Sequence, residues 1–131
     1  KPVTVFGSGD QSRCFCHVED VIGGIVTCMA TEKTAGEIFN LGSTEEVTIR
    51  ALAEKVIART GSSSSIQYVP YAEAYAEGFE DMERRLPDIR KAREWFGYAP
   101  KHSLDDIIQD VIDHARQKMK QQAAPESVAR S

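Results

Sequence analysis

Apolar side chains along this chain follow two periods, and the switches between them mark out the elements. Residues 2–6 are rich in β-branched and aromatic side chains and predict a strand. The turn Gly7-Ser8-Gly9-Asp10 is expected to reverse it into a second strand over 13–18, a hairpin. Asp20 stands where an N-cap belongs, and Val21, Ile22, Ile25, Val26 and Met29 then recur at helical spacing until Gly36 interrupts the chain. Gly23 and Gly24 weaken that helix but permit close packing. Residues 37–41 read as a short apolar strand ended by Gly42. Thr48 caps a helix with Ile49, Leu52, Ala53, Val56 and Ile57 on one side, closed by Gly61. Four serines make a polar loop, residues 66–69 a strand stopped by Pro70, and residues 71–83 an irregular acidic and aromatic connection. Asp88 opens a short helix with Ile89, Ala92, Trp95 and Phe96 inward, ended by Gly97. Ser103 and Asp106 form a capping box for a last helix carrying Leu104, Ile107, Ile108, Val111, Ile112 and Ala115. Past Lys120 the periodicity stops, so residues 121–131 are expected to be a flexible tail. Strands alternating with helices, without a repeat, predict an α/β fold: a small mixed sheet or hairpin with about four helices.

Composition narrows the partners. At 131 residues the chain fits one compact unit, and no apolar run approaches the roughly 20 residues of a membrane span, so no membrane partner is expected. A net charge of −4 argues against a nonspecific nucleic-acid binder. Anion recognition therefore has to come from individually placed arginines. Cys14 and Cys16 are set on opposite sides of the expected strand and are not expected to bridge; with an odd total of 3 cysteines, free thiols in a reducing compartment are expected. The residues around Lys1 show no signal-peptide layout, and the expected location is cytoplasmic.

Four groups of residues carry candidate chemistry. Residues 7–12 imitate the dinucleotide fingerprint G-x-G-x-x-G, but Ser12 replaces the third glycine and a strand pattern follows where a helix should, so no cofactor-binding residue is assigned. Arg13 follows this turn, and Arg84 and Arg85 lie in a second basic cluster over 83–92. Alone, each would read as a solvated charge; together, two guanidinium forks suit the oxygens of a diphosphate. Gln11 is a weaker candidate for a sugar or phosphate hydrogen bond. Asp88 reads as a helix cap and Asn40 as a backbone-bonding residue. His17 with Cys14 and Cys16 lacks a second ligand pair, so no metal is assigned; His17 is expected to pack among strand side chains, and His102 and His114 to lie on the surface. Tyr68, Tyr71, Tyr75 and Phe79 could stack on a nucleotide base, with loop packing the favoured role.

Taken in order, the stretch over 7–21, Ile38-Phe39-Asn40-Leu41-Gly42, the cluster over 83–92 and Trp95-Phe96-Gly97-Tyr98-Ala99-Pro100 resemble the C-terminal part of extended short-chain dehydrogenase/reductases. These are NAD-dependent nucleotide-sugar epimerases, dehydratases and decarboxylases, and the likeness, to UDP-glucuronate decarboxylases and UDP-glucose 4-epimerases in particular, runs from Pro2 to about Lys118. The resemblance implies that Arg13 contacts the substrate diphosphate and that Arg85, three residues before Asp88, is the second phosphate arginine, with Arg84 as the register alternative. It implies a substrate-binding portion over 1–120, with 20–42 contributing to the edge of an NAD-binding sheet. Catalysis in this family uses a glycine-rich NAD turn and a Tyr-x-x-x-Lys pair. Neither occurs here: the residues four after Tyr68, Tyr71, Tyr75 and Tyr98 are Ala72, Tyr75, Phe79 and His102. The chain is therefore expected to be the C-terminal portion of a longer enzyme, inactive alone, whose N-terminal portion binds NAD. Its unpartnered apolar faces should drive self-association, a homo-oligomer. A noncatalytic ligand-binding or oligomerisation module is the alternative, and the sugar, base and reaction stay open.

Overall fold

The computed structural model describes residues 1–74 and 82–123. Its elements are β1 (Val3–Phe6), β2 (Ser12–Cys14), α1 (Val18–Met29), a 3-10 turn (Glu32–Thr34), β3 (Glu46–Thr48), α2 (Ile49–Thr60), β4 (Ile66–Val69), the single turn α3 (Tyr71–Ala74), α4 (Arg90–Phe96) and α5 (Leu104–Ala123). The fold is α/β as expected, with five helices and two small sheets.

The expected hairpin does not form. β1 pairs in parallel with β4, Val3 opposite Ile66 through Phe6 opposite Val69, and β2 pairs antiparallel with β3, Arg13 opposite Val47. The turn after β1 is tied elsewhere: the Gly9 and Gln11 carbonyls accept the backbone N–H groups of Arg50 and Ile49, and the Arg50 guanidinium grips Asp10 and the Ser8 carbonyl. The 7–10 loop is thereby fastened to the start of α2. Gly7 and Gly9 have φ of 71° and 78°, a left-handed backbone that glycine takes without a Cβ penalty.

Other elements also differ from their sequence reading: β2 ends at Cys14, the strand β3 is not among those expected, and the connection expected to be irregular opens with the turn α3. Asp20 does not cap α1; His17 does, its Nδ1 accepting from Glu19 N at 3.2 Å, because Asp20 is drawn inward to the backbone N–H and ring of His102. α1 also stops at Met29 rather than running towards Gly36, where the Thr34 hydroxyl takes up the Cys28 carbonyl at 2.7 Å. Residues 37–41 form no strand among the described residues. Phe39 packs edge-on against Trp95 and Phe96, and Asn40 Nδ2 donates to the Asp88 carbonyl at 3.3 Å.

Most of the remaining ends follow their caps, but α4 begins at Arg90 with Ile89, not Asp88, at its N-cap position. The Thr48 hydroxyl accepts from Ala51 N, Gly61 and Gly97 close α2 and α4 with φ of 63° and 72°, and Ser103 and Asp106 exchange the two bonds of a capping box. α5 continues through Ala123, beyond the expected limit, and the rest of the predicted tail lies outside the described residues. One core joins Val47, Leu104, Ile108 and Ile112 between β3, α2 and α5; a second joins Ile89, Ala92 and Tyr98 to Phe39 and Leu41. α1 buries its small and polar side, Gly24 and Asp20, and leaves Val18, Ile22, Ile25, Val26 and Met29 between 45% and 82% exposed.

Candidate functional site

The segment after Met82 runs beside β2. Ser12 N donates to the Glu83 carbonyl at 2.8 Å, and Ser12 forms a parallel bridge with Arg84. Alternation along an extended backbone sends neighbouring side chains to opposite sides. Arg84 turns to Glu46, its Nε and Nη2 donating at 2.8 Å and 2.6 Å to the two carboxylate oxygens, while the Ser12 hydroxyl donates to the same group at 3.0 Å. These bonds hold the Glu46 carboxyl down at about 2 and push the Arg84 guanidinium up.

Arg85 instead lines a cleft of about 280 Å³ together with Arg13, Cys14, Cys16, Gly42, Ser43 and Pro87. Arg13 is half-buried and braced, its Nη1 donating at 2.7 Å to both the Ser12 and Met82 carbonyls. Two arginines about 70 residues apart in sequence therefore meet at one cleft. Cys14 and Cys16 share it, correcting their assignment to opposite sides: positions two apart on extended chain face the same way. Gln11 and Arg13 also line a neighbouring cleft of about 190 Å³ with Thr4, Phe6 and Tyr71. There the Gln11 amide donates to the Phe6 carbonyl at 3.0 Å and the Tyr71 hydroxyl at 2.8 Å. A Cβ at Gly7 would overlap the Tyr71 ring, so this glycine is required for close approach as well as for its φ.

Burial, then Glu46, pushes the Cys14 thiol up, and burial pushes the Tyr98 phenol up further. The Tyr98 hydroxyl does not line the cleft but lies 3.4 Å from the carbonyl of Gly42 and 3.5 Å from Cys16 Sγ, two residues that do. The glycine turn opens into β2, so it does not aim a helix N-terminus at a pyrophosphate and does not fit NAD. Asp88 accepts from Arg90 N at 3.0 Å and pairs with the same residue's guanidinium, which hold it at about 2. Tyr68 sits half-exposed on β4, while Tyr75 and Phe79 lie outside the described residues.

His17 is buried and hydrogen-bonded, with Nε2 at 3.0 Å from Asp110 Oδ2, so it is a helix cap and not packing for a strand. His102 is half-buried rather than on the surface, stacked on His17 at 4.2 Å between ring centroids; His114 is exposed. Asp20 raises the pKa of the His102 ring. Sequence reasoning missed Glu46, Tyr71 as the partner of Gln11, and the Gly42–Ser43 floor. No local signal marks them, because each acts across tens of residues.

The chain matches the family model for GDP-mannose 4,6 dehydratase over residues 1–111. It is 36% identical over 113 residues to UDP-N-acetyl-alpha-D-glucosaminuronate decarboxylase of Bacillus cytotoxicus, covering 86% of this chain and 35% of that protein. UDP-glucuronic acid 4-epimerase of Bacillus cereus, solved with UDP-glucuronic acid and NAD, superposes with a TM-score of 0.74 at 30% identity, covering 90% of this chain and 36% of that one. UDP-glucose 4-epimerase of Thermotoga maritima, solved with UDP-glucose, gives 0.79 at 26% identity, covering 91% and 36%. This chain thus spans about a third of the length of these relatives. A sequence matched over most of its length, and a fold that superposes on sugar-nucleotide epimerases, place the chain in the NAD-dependent nucleotide-sugar epimerase, dehydratase and decarboxylase family of extended short-chain dehydrogenase/reductases.

Proposed function

We propose that this chain supplies the nucleotide-sugar site of an NAD-dependent epimerase, dehydratase or decarboxylase, with the diphosphate of a UDP- or dTDP-sugar held between Arg13 and Arg85. The observation that carries this reading is the meeting of these two arginines at one cleft, while Arg84 is occupied by Glu46. Gln11, on the neighbouring cleft, is the candidate for a further contact to the ligand. In this reading, oxidation at the sugar C4 belongs to the NAD-binding part of a longer, cytoplasmic polypeptide. The exposed stripe of α1 is where that part would pack, with residues 20–42 at its sheet edge. Residues 1–120 alone are then a binding portion without turnover.

The test is calorimetric titration of UDP into the full-length protein and into its Arg13→Ala/Arg85→Ala variant. A charge-assisted hydrogen bond contributes about 1.5–3 kcal/mol, so each arginine lost should weaken binding by roughly 10- to 150-fold. Undiminished affinity in a variant with native circular dichroism would refute the assignment.

A further inference from the structure

Ser43 lines the arginine cleft and is only 6% exposed. Its hydroxyl oxygen accepts the Glu45 N–H at 3.1 Å, but no group among the described residues accepts its proton. A hydroxyl carries one donor beside its lone pairs, and a buried donor left without an acceptor is costly. We propose that the Ser43 hydroxyl is a third binding group of this cleft, donating its proton to a phosphate oxygen of the nucleoside diphosphate; this rests on the arginine reading above and adds a residue to it.

The walls select such a partner. Arg13 and Arg85 offer donors only, the leucines and the proline of the cleft present no polar side-chain atom, and the sulfurs of Cys14 and Cys16 are weak acceptors. The Gly42 carbonyl already accepts the Tyr98 hydroxyl at 3.4 Å. A ligand entering between these side chains therefore meets donors and no strong acceptor, which suits the anionic oxygens of a diphosphate better than the N–H and O–H groups of a base or sugar.

The hydroxyl is also held in place from two directions. Glu45, whose N–H fixes the Ser43 oxygen, has its carboxylate on the buried Leu104 N–H at 2.9 Å, which ties the loop to the first turn of α5. On the other side Gly42 lies against Pro87, where a Cβ would come within 3.1 Å of Pro87 Cγ. Pro87 is two residues past Arg85, so this contact seats the Ser43 loop against the segment that carries the second arginine. A group positioned before its ligand arrives loses little freedom on binding.

Competition calorimetry of UDP and of uridine on the full-length protein tests this, because the two share base and sugar and differ in the phosphates. Ser43→Ala should lower UDP affinity by roughly tenfold and leave uridine within about twofold, since only the charged acceptor is lost. Ser43→Cys, close in size but a weak donor, should shift the preference in the same way. An unchanged preference for UDP over uridine, in whichever of the two variants keeps native circular dichroism, would overturn the proposal and leave Ser43 a turn residue only, whether the two affinities hold or fall together. Survival of that preference in Arg13→Ala/Arg85→Ala would instead sink the arginine reading.

Discussion

Adjacent glycines in α1 give opposite answers to the same substitution. A Cβ at Gly24 would lie 2.7 Å from Cε2 and 2.8 Å from Cδ2 of Tyr98, and 3.2 Å from Leu41 Cδ1, whereas a Cβ at Gly23 meets nothing within 4 Å. Tyr98 is 5% exposed and packed with Ile89 and Ala92, so its ring has to move by roughly 0.7 Å or more to regain van der Waals contact near 3.5 Å. Overpacking of this kind costs about 1–3 kcal/mol. Replacing glycine by alanine within a helix returns about 1 kcal/mol. Gly24→Ala should therefore destabilise by about 0–2 kcal/mol, and Gly23→Ala should stabilise by up to about 1 kcal/mol. Urea unfolding followed by the fluorescence of the single tryptophan, Trp95, measures both. Displacing Tyr98 also pushes on Gly42 and Cys16, two residues of the arginine cleft, so Gly24→Ala should weaken UDP binding and Gly23→Ala should not. Equal effects at the two positions would refute the packing account.

Glu46 gives the pH dependence. Its folded carboxyl is held at about 2, below its ordinary 4.5, so its contribution is full above about pH 4.5 and disappears as pH falls towards 2; Glu46→Gln should flatten that part of the acid-unfolding curve. Arg84→Ala should leave UDP affinity within about twofold while Arg85→Ala lowers it by roughly 10- to 150-fold, which calorimetry resolves; the reverse order would move the site to Arg84. Ile108→Ala, in the core between α2 and α5, should cost about 2–5 kcal/mol by urea unfolding, and a smaller loss would mean the helices close over the gap. The exposed stripe of α1 predicts association of the isolated chain, and light scattering showing a monomer at all concentrations would contradict it.

Local signals proved dependable where the structure is itself local. The Thr48 cap, the glycine ends of α2 and α4 and the Ser103–Asp106 box are each satisfied by atoms within a few residues, and all stand as read. The hairpin failed because a glycine turn specifies a reversal but not its partner; Arg50 and Ile49 claim that loop, and β1 finds β4 sixty residues away. Asp20 looked like a cap from spacing alone, and only its long-range partner His102 shows why it is not one. At the site, the resemblance favoured Arg85 over Arg84, and Arg85 is the one that lines the cleft with Arg13; the physical reason, the Ser12 bridge that turns Arg84 to Glu46, is one no periodicity reveals. The apolar face of α1 was expected to lack a partner, and it is exposed; hydrophobic spacing identifies such a face without saying what covers it.

Because Arg13 and Arg85 come from segments about 70 residues apart, a diphosphate held by both, as proposed, would act as a reversible staple between them. It would bind only when β2 and the 82–87 segment are in register, so its affinity would report on the fold as much as on the pocket. At a ligand concentration one hundred times the dissociation constant the linkage adds about 2.7 kcal/mol to stability. Thermal melting in a panel of nucleoside diphosphates would then rank bases and sugars by the stability each adds, with no need for turnover.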